Sequence, residues 1–119
     1  MEEKRKLYDL EERTLIYAKS IRNFVKKLPK TLANIEGSKQ LLRSSGSIGA
    51  NYREANESLG KKDFFMRIKI CRKEAKETAY WLELLDTCGD SALNEEKLIL
   101  TNEAIELMKI FGAILQKSG

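Results

Sequence analysis

The chain has 119 residues, 42% of them apolar and 34% charged, with a net charge of +4 and a single proline. That length closes one domain around one core, residues 1–119, and a composition rich in Ala, Glu, Lys, Leu and Arg is that of a helical protein. Two cysteines, Cys71 and Cys88, and no histidine exclude Ser-His-Asp and Cys-His catalysis and leave too few ligands for a structural zinc site.

No apolar run approaches the roughly 20 residues that cross a bilayer. The opening MEEKRKLYDLEER lacks the apolar centre of a secretory signal. A cytoplasmic protein without membrane association is expected, with both cysteines unpaired in a reducing compartment. Cys71 falls on an apolar stripe and reads as a small core residue.

Four segments carry apolar or small residues at alternating spacings of three and four, the signature of packed helices. The first stripe is Leu7, Leu10, Thr14, Tyr17, Ile21, Phe24 and Leu28, stopped by Pro29. The second is Leu41, Ser45, Ile48, Tyr52, Ala55 and Leu59; Asn34 or Ser38 is the expected N-cap and Gly60 the closing glycine. The third is Phe64, Ile68, Cys71, Ala75, Thr78, Leu82 and Leu85, closed by Gly89. The fourth is Leu98, Thr101, Ile105, Met108, Gly112 and Leu115, with Asn94 as its expected cap. No segment shows strand alternation. Short links between long helices force antiparallel neighbours, so the predicted fold is all-α, an up-down-up-down antiparallel four-helix bundle.

The stretch from Ser44 to Ala50, SSGSIGA, is rich in loop-forming residues yet sits inside the second stripe. Glycine inside a helix destabilises it by roughly 0.5–1 kcal/mol relative to alanine. Close approach of another helix can offset that cost through dispersion contacts. The third stripe is also small in its middle, at Cys71, Ala75 and Thr78, so a narrow waist between helices 2 and 3 is expected. A phosphate-binding loop would need GxxxxGK[ST] after a strand, and the chain has neither.

Helix 4 carries a second apolar stripe, Leu100, Ala104, Leu107, Phe111 and Ile114. Two adjacent apolar faces exceed what one core requires. Either helix 4 is simply deeply buried, or Leu100, Leu107, Phe111 and Ile114 form the subunit interface of a homo-oligomer, which is the expectation taken here.

Charge is uneven along the chain. Residues 38–76 hold ten Lys or Arg against four Asp or Glu, a balance of +6, while the remainder stands at −2. On a helical wheel with Phe64 at zero, Lys62, Lys69, Arg72, Lys73 and Lys76 fall between roughly 80° and 180°, outside the core stripe. Arg43, Arg53 and Lys61 could extend this flank. Such a surface can neutralise phosphates and release counterions; it can also be an ordinary solvated face. Phe65 borders it and reads as packed rather than as a base-stacking platform. Glu54, Glu57, Glu74, Glu77 and Glu83 lack the Glu-x-x-His partners of a di-metal bundle. Glu74 and Glu77 are expected to pair with Lys or Arg at helical spacing. No catalytic constellation, metal or cofactor is expected.

The segments QLLRSSGSIGANYREA (residues 40–55) and KKDFFMRIKICRKEAKETAYWLELL (residues 61–85) resemble a four-helix-bundle family. It includes proteins encoded in intervening sequences of bacterial 23S rRNA genes and, in a related branch, the accessory variability proteins of diversity-generating retroelements. The resemblance rests on Gln40, Arg43-Ser44, Ser47-Ile48, Ala50-Asn51, Asp63-Phe64, Glu74-Ala75, Glu77-Thr78 and Trp81-Leu82. The ribosomal-insert version tends to carry SIPANIAEG where this chain has SIGANYREA, so Gly49 replaces a proline. The resemblance implies a non-enzymatic bundle that assembles as a homopentamer and presents a basic surface to nucleic acid. The combined expectation is an oligomeric scaffold binding structured nucleic acid, RNA in the first instance, through Arg43, Arg53, Lys61, Lys62, Lys69, Arg72, Lys73 and Lys76. The alternative is a protein-interaction module whose partner is another protein, such as a reverse transcriptase.

Overall fold

A computed structural model describes residues 2–117, with side chains from Leu10 onward; the side chain of Leu7, the first residue of the predicted stripes, lies outside that range. Four helices follow one another: α1 (Glu2–Lys27), α2 (Leu32–Asn56), α3 (Lys61–Leu84) and α4 (Ser91–Gln116). They form the predicted antiparallel bundle, 46 × 27 × 20 Å. Among the described residues each helix packs chiefly on its neighbour in the chain, and of the adjacent pairs α1 and α4 are the least closely packed. No helix among the described residues is long and apolar enough to cross a membrane.

The first three predicted stripes point inward. Leu10, Thr14, Tyr17, Ile21, Phe24 and Leu28 of the first are buried, and α1 ends two residues before Pro29. Leu41, Ser45, Ile48, Tyr52 and Ala55 of the second are buried. Leu59 is fully exposed, because α2 has already ended at Asn56. Ile68, Cys71, Ala75, Thr78, Leu82 and Leu85 of the third are buried, with Phe64 half-buried at its end.

The fourth stripe is corrected. Leu100, Ala104, Leu107 and Phe111 line the core, with Phe111 fully buried and its ring 5.9 Å from that of Tyr52. Leu98, assigned inward from the sequence, is 60% exposed. Leu100, Leu107 and Phe111 are therefore not available to a second subunit, and Ile114 is half-buried against the same core. A helix apolar on two adjacent faces has no unique inward face by periodicity alone. The Tyr17 hydroxyl, which donates to the Leu100 carbonyl at 2.7 Å, lies on the side that α1 covers.

The caps also differ from expectation. Thr31 caps α2, its hydroxyl accepting from the Asn34 amide at 3.1 Å. Three good cap formers, Thr31, Asn34 and Ser38, stand within two turns, and cap preference does not choose among them. The Asn34 side chain serves elsewhere: it is buried, donates to the carbonyls of Pro29 (2.9 Å) and Asp86 (2.8 Å), and accepts from the Asp86 amide (2.9 Å). It thus ties the α1–α2 turn to the α3–α4 connection. Gly60 is the N-cap residue of α3 rather than the closing residue of α2. Asp90, not Asn94, caps α4, accepting from the Leu93 amide at 3.0 Å. Asn94 instead accepts from the Thr87 hydroxyl. Lys97 donates to the carbonyls of Glu83 (3.2 Å) and Leu85 (2.8 Å) at the end of α3, where a cation suits the helix dipole. The turn between passes through the left-handed region at Cys88 (φ 54°) and Gly89 (φ 82°).

The small-residue stretch divides its work between two neighbours. Towards α3, the Cys71 thiol approaches the Ile48 carbonyl at 3.5 Å and the Thr78 hydroxyl lies 2.9 Å from that of Ser44. That is the predicted waist. Gly49, however, faces α1: a β-carbon there would stand 2.9 Å from Thr14 Oγ1 and 3.2 Å from Thr14 Cβ. Gly46 is exposed, with no atom near its missing side chain.

Candidate nucleic-acid interface

The outer face of α3 is built from its sequence period. Lys62, Lys69, Lys73 and Lys76 follow one another at helical spacing and all are exposed, with Arg72 beside them. The buried residues Ile68, Cys71, Ala75 and Thr78 hold the opposite face against the core, so the cationic face is fixed in direction by the packing. Exposed Met66 and Tyr80 interrupt the cations along the same face. Phe65 is half-buried with its ring edge-on to Phe64 at 5.3 Å, and Trp81 is half-buried against Tyr80 at 5.2 Å. Tyr80 is thus the ring most open to solvent on this face.

The eight cations singled out from the sequence do not form one patch. Among the described residues, Lys61, Lys62, Lys69, Arg72, Lys73 and Lys76 make no ion pair, whereas Arg43 and Arg53 do. The Arg43 guanidinium lies 3.3 Å from the Glu74 carboxylate and 3.8 Å from that of Glu77. Arg53 turns away from α3 to Glu11 of α1, at 3.9 Å. Glu74 and Glu77 therefore pair across to α2, not along their own helix. Position on a helical wheel could not reveal this, because the deciding partner comes from another helix. Arg67, a further α3 cation outside that set, is engaged as well: it donates to the Asn51 side chain at 3.0 Å.

Lys109 was missed. It is exposed on α4 and, with Arg72, lines a cleft between α3 and α4 floored by Gly112. No single-helix pattern marks it, because its significance comes from the neighbouring helix. The opposite side of the bundle differs in character. The groove between α1 and α4, about 660 Å³, is lined by Ile16, Tyr17, Ile99 and Leu100 with Glu12 and Glu106 on its rim. There Arg13 is held by Glu103 in a two-pronged pair at 2.7 and 2.8 Å, which raises its pKa.

Neither thiol is placed for chemistry on these surfaces. Cys71 is buried, and that burial pushes its pKa up to about 12. Cys88 is exposed, and both cysteines are free.

Comparison with known proteins places this architecture. The family model described as 23S rRNA-intervening sequence protein matches residues 8–113. The chain belongs to that family. It is also similar to a crystal structure from Bacteroides thetaiotaomicron, described as a protein with unknown function from the S23 ribosomal protein family. The two share 37% identity and a TM-score of 0.77 over 89% of this chain and 97% of the other. No curated protein matches this chain. The likeness covers most of the chain, and the family match over residues 8–113 includes all of α3, which carries the cationic face.

Proposed function

We propose that this protein is a non-enzymatic cytoplasmic scaffold that binds structured RNA through the outer face of α3. One observation carries the reading: Lys62, Lys69, Arg72, Lys73 and Lys76 crowd one exposed face without ion pairs among the described residues. Five other cations, Arg13, Lys27, Lys39, Arg43 and Arg53, have carboxylate partners, and the unpaired ones on α1 are not gathered on one face with so many others. Clustered like charges repel, and a polyanion relieves that repulsion while releasing its counterions. The family description, with its reference to 23S rRNA, agrees with an RNA partner.

Changing Lys69, Lys73 and Lys76 together to Gln tests it. The fold is expected to survive, RNA affinity to fall for every sequence tried, and the log-log salt slope to flatten by roughly 0.7–0.9 per lost phosphate contact. Unchanged affinity and slope would move the binding surface elsewhere.

Assembly into a homo-oligomer, a pentamer by the resemblance, belongs to the same proposal, and multiple copies on one RNA would multiply its effect. With Leu100, Leu107 and Phe111 buried in the core, the apolar surface left for contact between copies includes Ile16 and Ile99, exposed at 55% and 62% in the α1–α4 groove. That groove also supports a second reading, in which the chain docks on another protein and the α3 cations only tune its approach. Absence of any RNA or DNA affinity at low salt would favour that reading.

A further inference from the structure

The cleft between α3 and α4 differs from the rest of the basic face in shape. Its volume is about 440 Å³, and Arg72, Lys109, Gly112, Ala113, Leu115 and Gln116 line it. Two cations reach it from different helices, an amide stands at one end, and no acid lines it among the described residues. The α1–α4 groove, by contrast, has three glutamates in its lining, Glu12, Glu103 and Glu106. Neither Arg72 nor Lys109 has an ion-pair partner among the described residues, and both are exposed.

Gly112 gives the second observation. Glycine weakens a helix relative to alanine, and at Gly49 the close approach of Thr14 accounts for it. Gly112 has no such constraint. Among the described residues a β-carbon there would meet only the Arg72 side chain, at an ordinary contact distance of 3.9 Å. Packing of the bundle does not require glycine at this position. What glycine does is keep the floor of the cleft low beneath the Arg72 stem.

We propose that this cleft seats one stretch of single-stranded RNA, with a phosphate held between Arg72 and Lys109 and the sugar passing over Gly112. The inference rests on the RNA reading above and adds the strand form. A duplex carries its phosphates on a stiff outer surface and is met by shape across a broad face. A single strand can turn its backbone into a positively charged groove and follow it. Lys69 and Lys76 stand one turn to either side of Arg72 on α3 and continue the path along that helix. The flat outer face of α3 would serve duplex and single strand alike, whereas the cleft would serve the single strand.

The test uses Gly112→Leu, which fills the floor without changing charge, and Ala113→Leu as a second filling variant at an exposed position. A short oligouridylate and an RNA hairpin are the probes, with helix content checked by circular dichroism. Both variants are expected to bind the oligouridylate roughly tenfold more weakly, equivalent to about 1.4 kcal/mol, and the hairpin as the unmodified protein does. Arg72→Gln with Lys109→Gln is expected to flatten the oligouridylate salt slope by about 0.7 for one lost phosphate contact. Undiminished oligouridylate binding by the filled variants, or equal losses for both probes, overturns the cleft while leaving the α3 face standing. Failure of the unmodified protein to bind either probe overturns the RNA reading itself, and the cleft with it.

Discussion

Gly49 and Thr14 meet where α2 crosses α1, and the absent side chain of one makes room for the other. The Thr14 hydroxyl is itself committed, donating to the Leu10 carbonyl at 2.7 Å, so it does not readily yield. Adding even a methyl group places it 2.9 Å from Thr14 Oγ1. Gly49→Ala is expected to lose about 1–3 kcal/mol to overpacking, more than alanine's helical preference returns. Thr14→Ala in the same chain should recover part of that loss. Denaturant melts of the single and double variants measure the coupling, and strict additivity would show that the two residues do not meet.

Phe111 supplies a second prediction. It is fully buried and packs on Tyr52, so truncation acts on the folding of each chain. Phe111→Ala is expected to lose about 3–5 kcal/mol, and Phe111→Glu to unfold the bundle, since an unpaired charge cannot remain in the core. Circular dichroism checks both. Retention of native helix content by Phe111→Glu would put the ring at a surface. Ile16→Glu and Ile99→Glu should instead leave helix content intact; light scattering reports whether either changes subunit number.

These two positions show what the sequence made legible. Period and composition identified four helices, their antiparallel order and most of the core, because the stripes of α1, α2 and α3 each have one apolar face. On α4 two faces were apolar, and the inward one was decided by partners such as Tyr17 and Tyr52 on other helices. The same limit applied to the small-residue stretch: its smallness marked close approach, but not that Gly49 faces α1 while Ser44 faces α3. At the basic face, helical spacing correctly grouped Lys62, Lys69, Arg72, Lys73 and Lys76. It could not show that Arg43 and Arg53 are engaged by carboxylates, or that Lys109 joins from α4. Local pattern specifies which face a residue takes on its own helix; the facing residue comes from long-range packing.

Asn34 predicts a large effect from one polar side chain. Its amide bonds Pro29 and Asp86 from a buried position. Asn34→Ala leaves two carbonyls and one amide hydrogen without their partner, at about 1–3 kcal/mol for a buried group left unsatisfied. Thermal melting should fall well below that of Asn23→Ala, an exposed control on α1. Equal melting temperatures would mean that water replaces Asn34 without loss.

The thiols predict both reactivity and pH dependence. A disulfide-exchange reagent should modify one thiol per native chain, Cys88, and a second only after unfolding, because Cys71 is buried and its thiolate disfavoured. The folded pKa of Cys71 is raised, to about 12, and burial raises that of Tyr17 as well. Groups raised in this way contribute stability that is complete below the unfolded pKa and is lost as pH rises towards the folded value. Melting temperature should therefore hold near neutral pH and decline above about pH 9. Cys71→Ala should decline less steeply. An identical alkaline fall in that variant would assign the effect to other groups.

The seam between α1 and α4 also bears on how the chain reaches this shape. Successive helices meet through connections of a few residues, so their three pairings close over short loops and should form quickly. The remaining pairing joins Arg13 to Glu103 and Tyr17 to Leu100, separated by 90 and 83 positions, and among the described residues it is the least closely packed of the adjacent pairs. Loop closure makes this seam the last to form, and its sparse packing makes it the first to part. In native-state hydrogen exchange, the amides of α1 facing this seam should open at lower free energy than those of α2 and α3 at Ser44 and Thr78. The chain's first helix would then be a detachable stave, and its departure would bare Leu100 and Ala104 without disturbing the α3 cations.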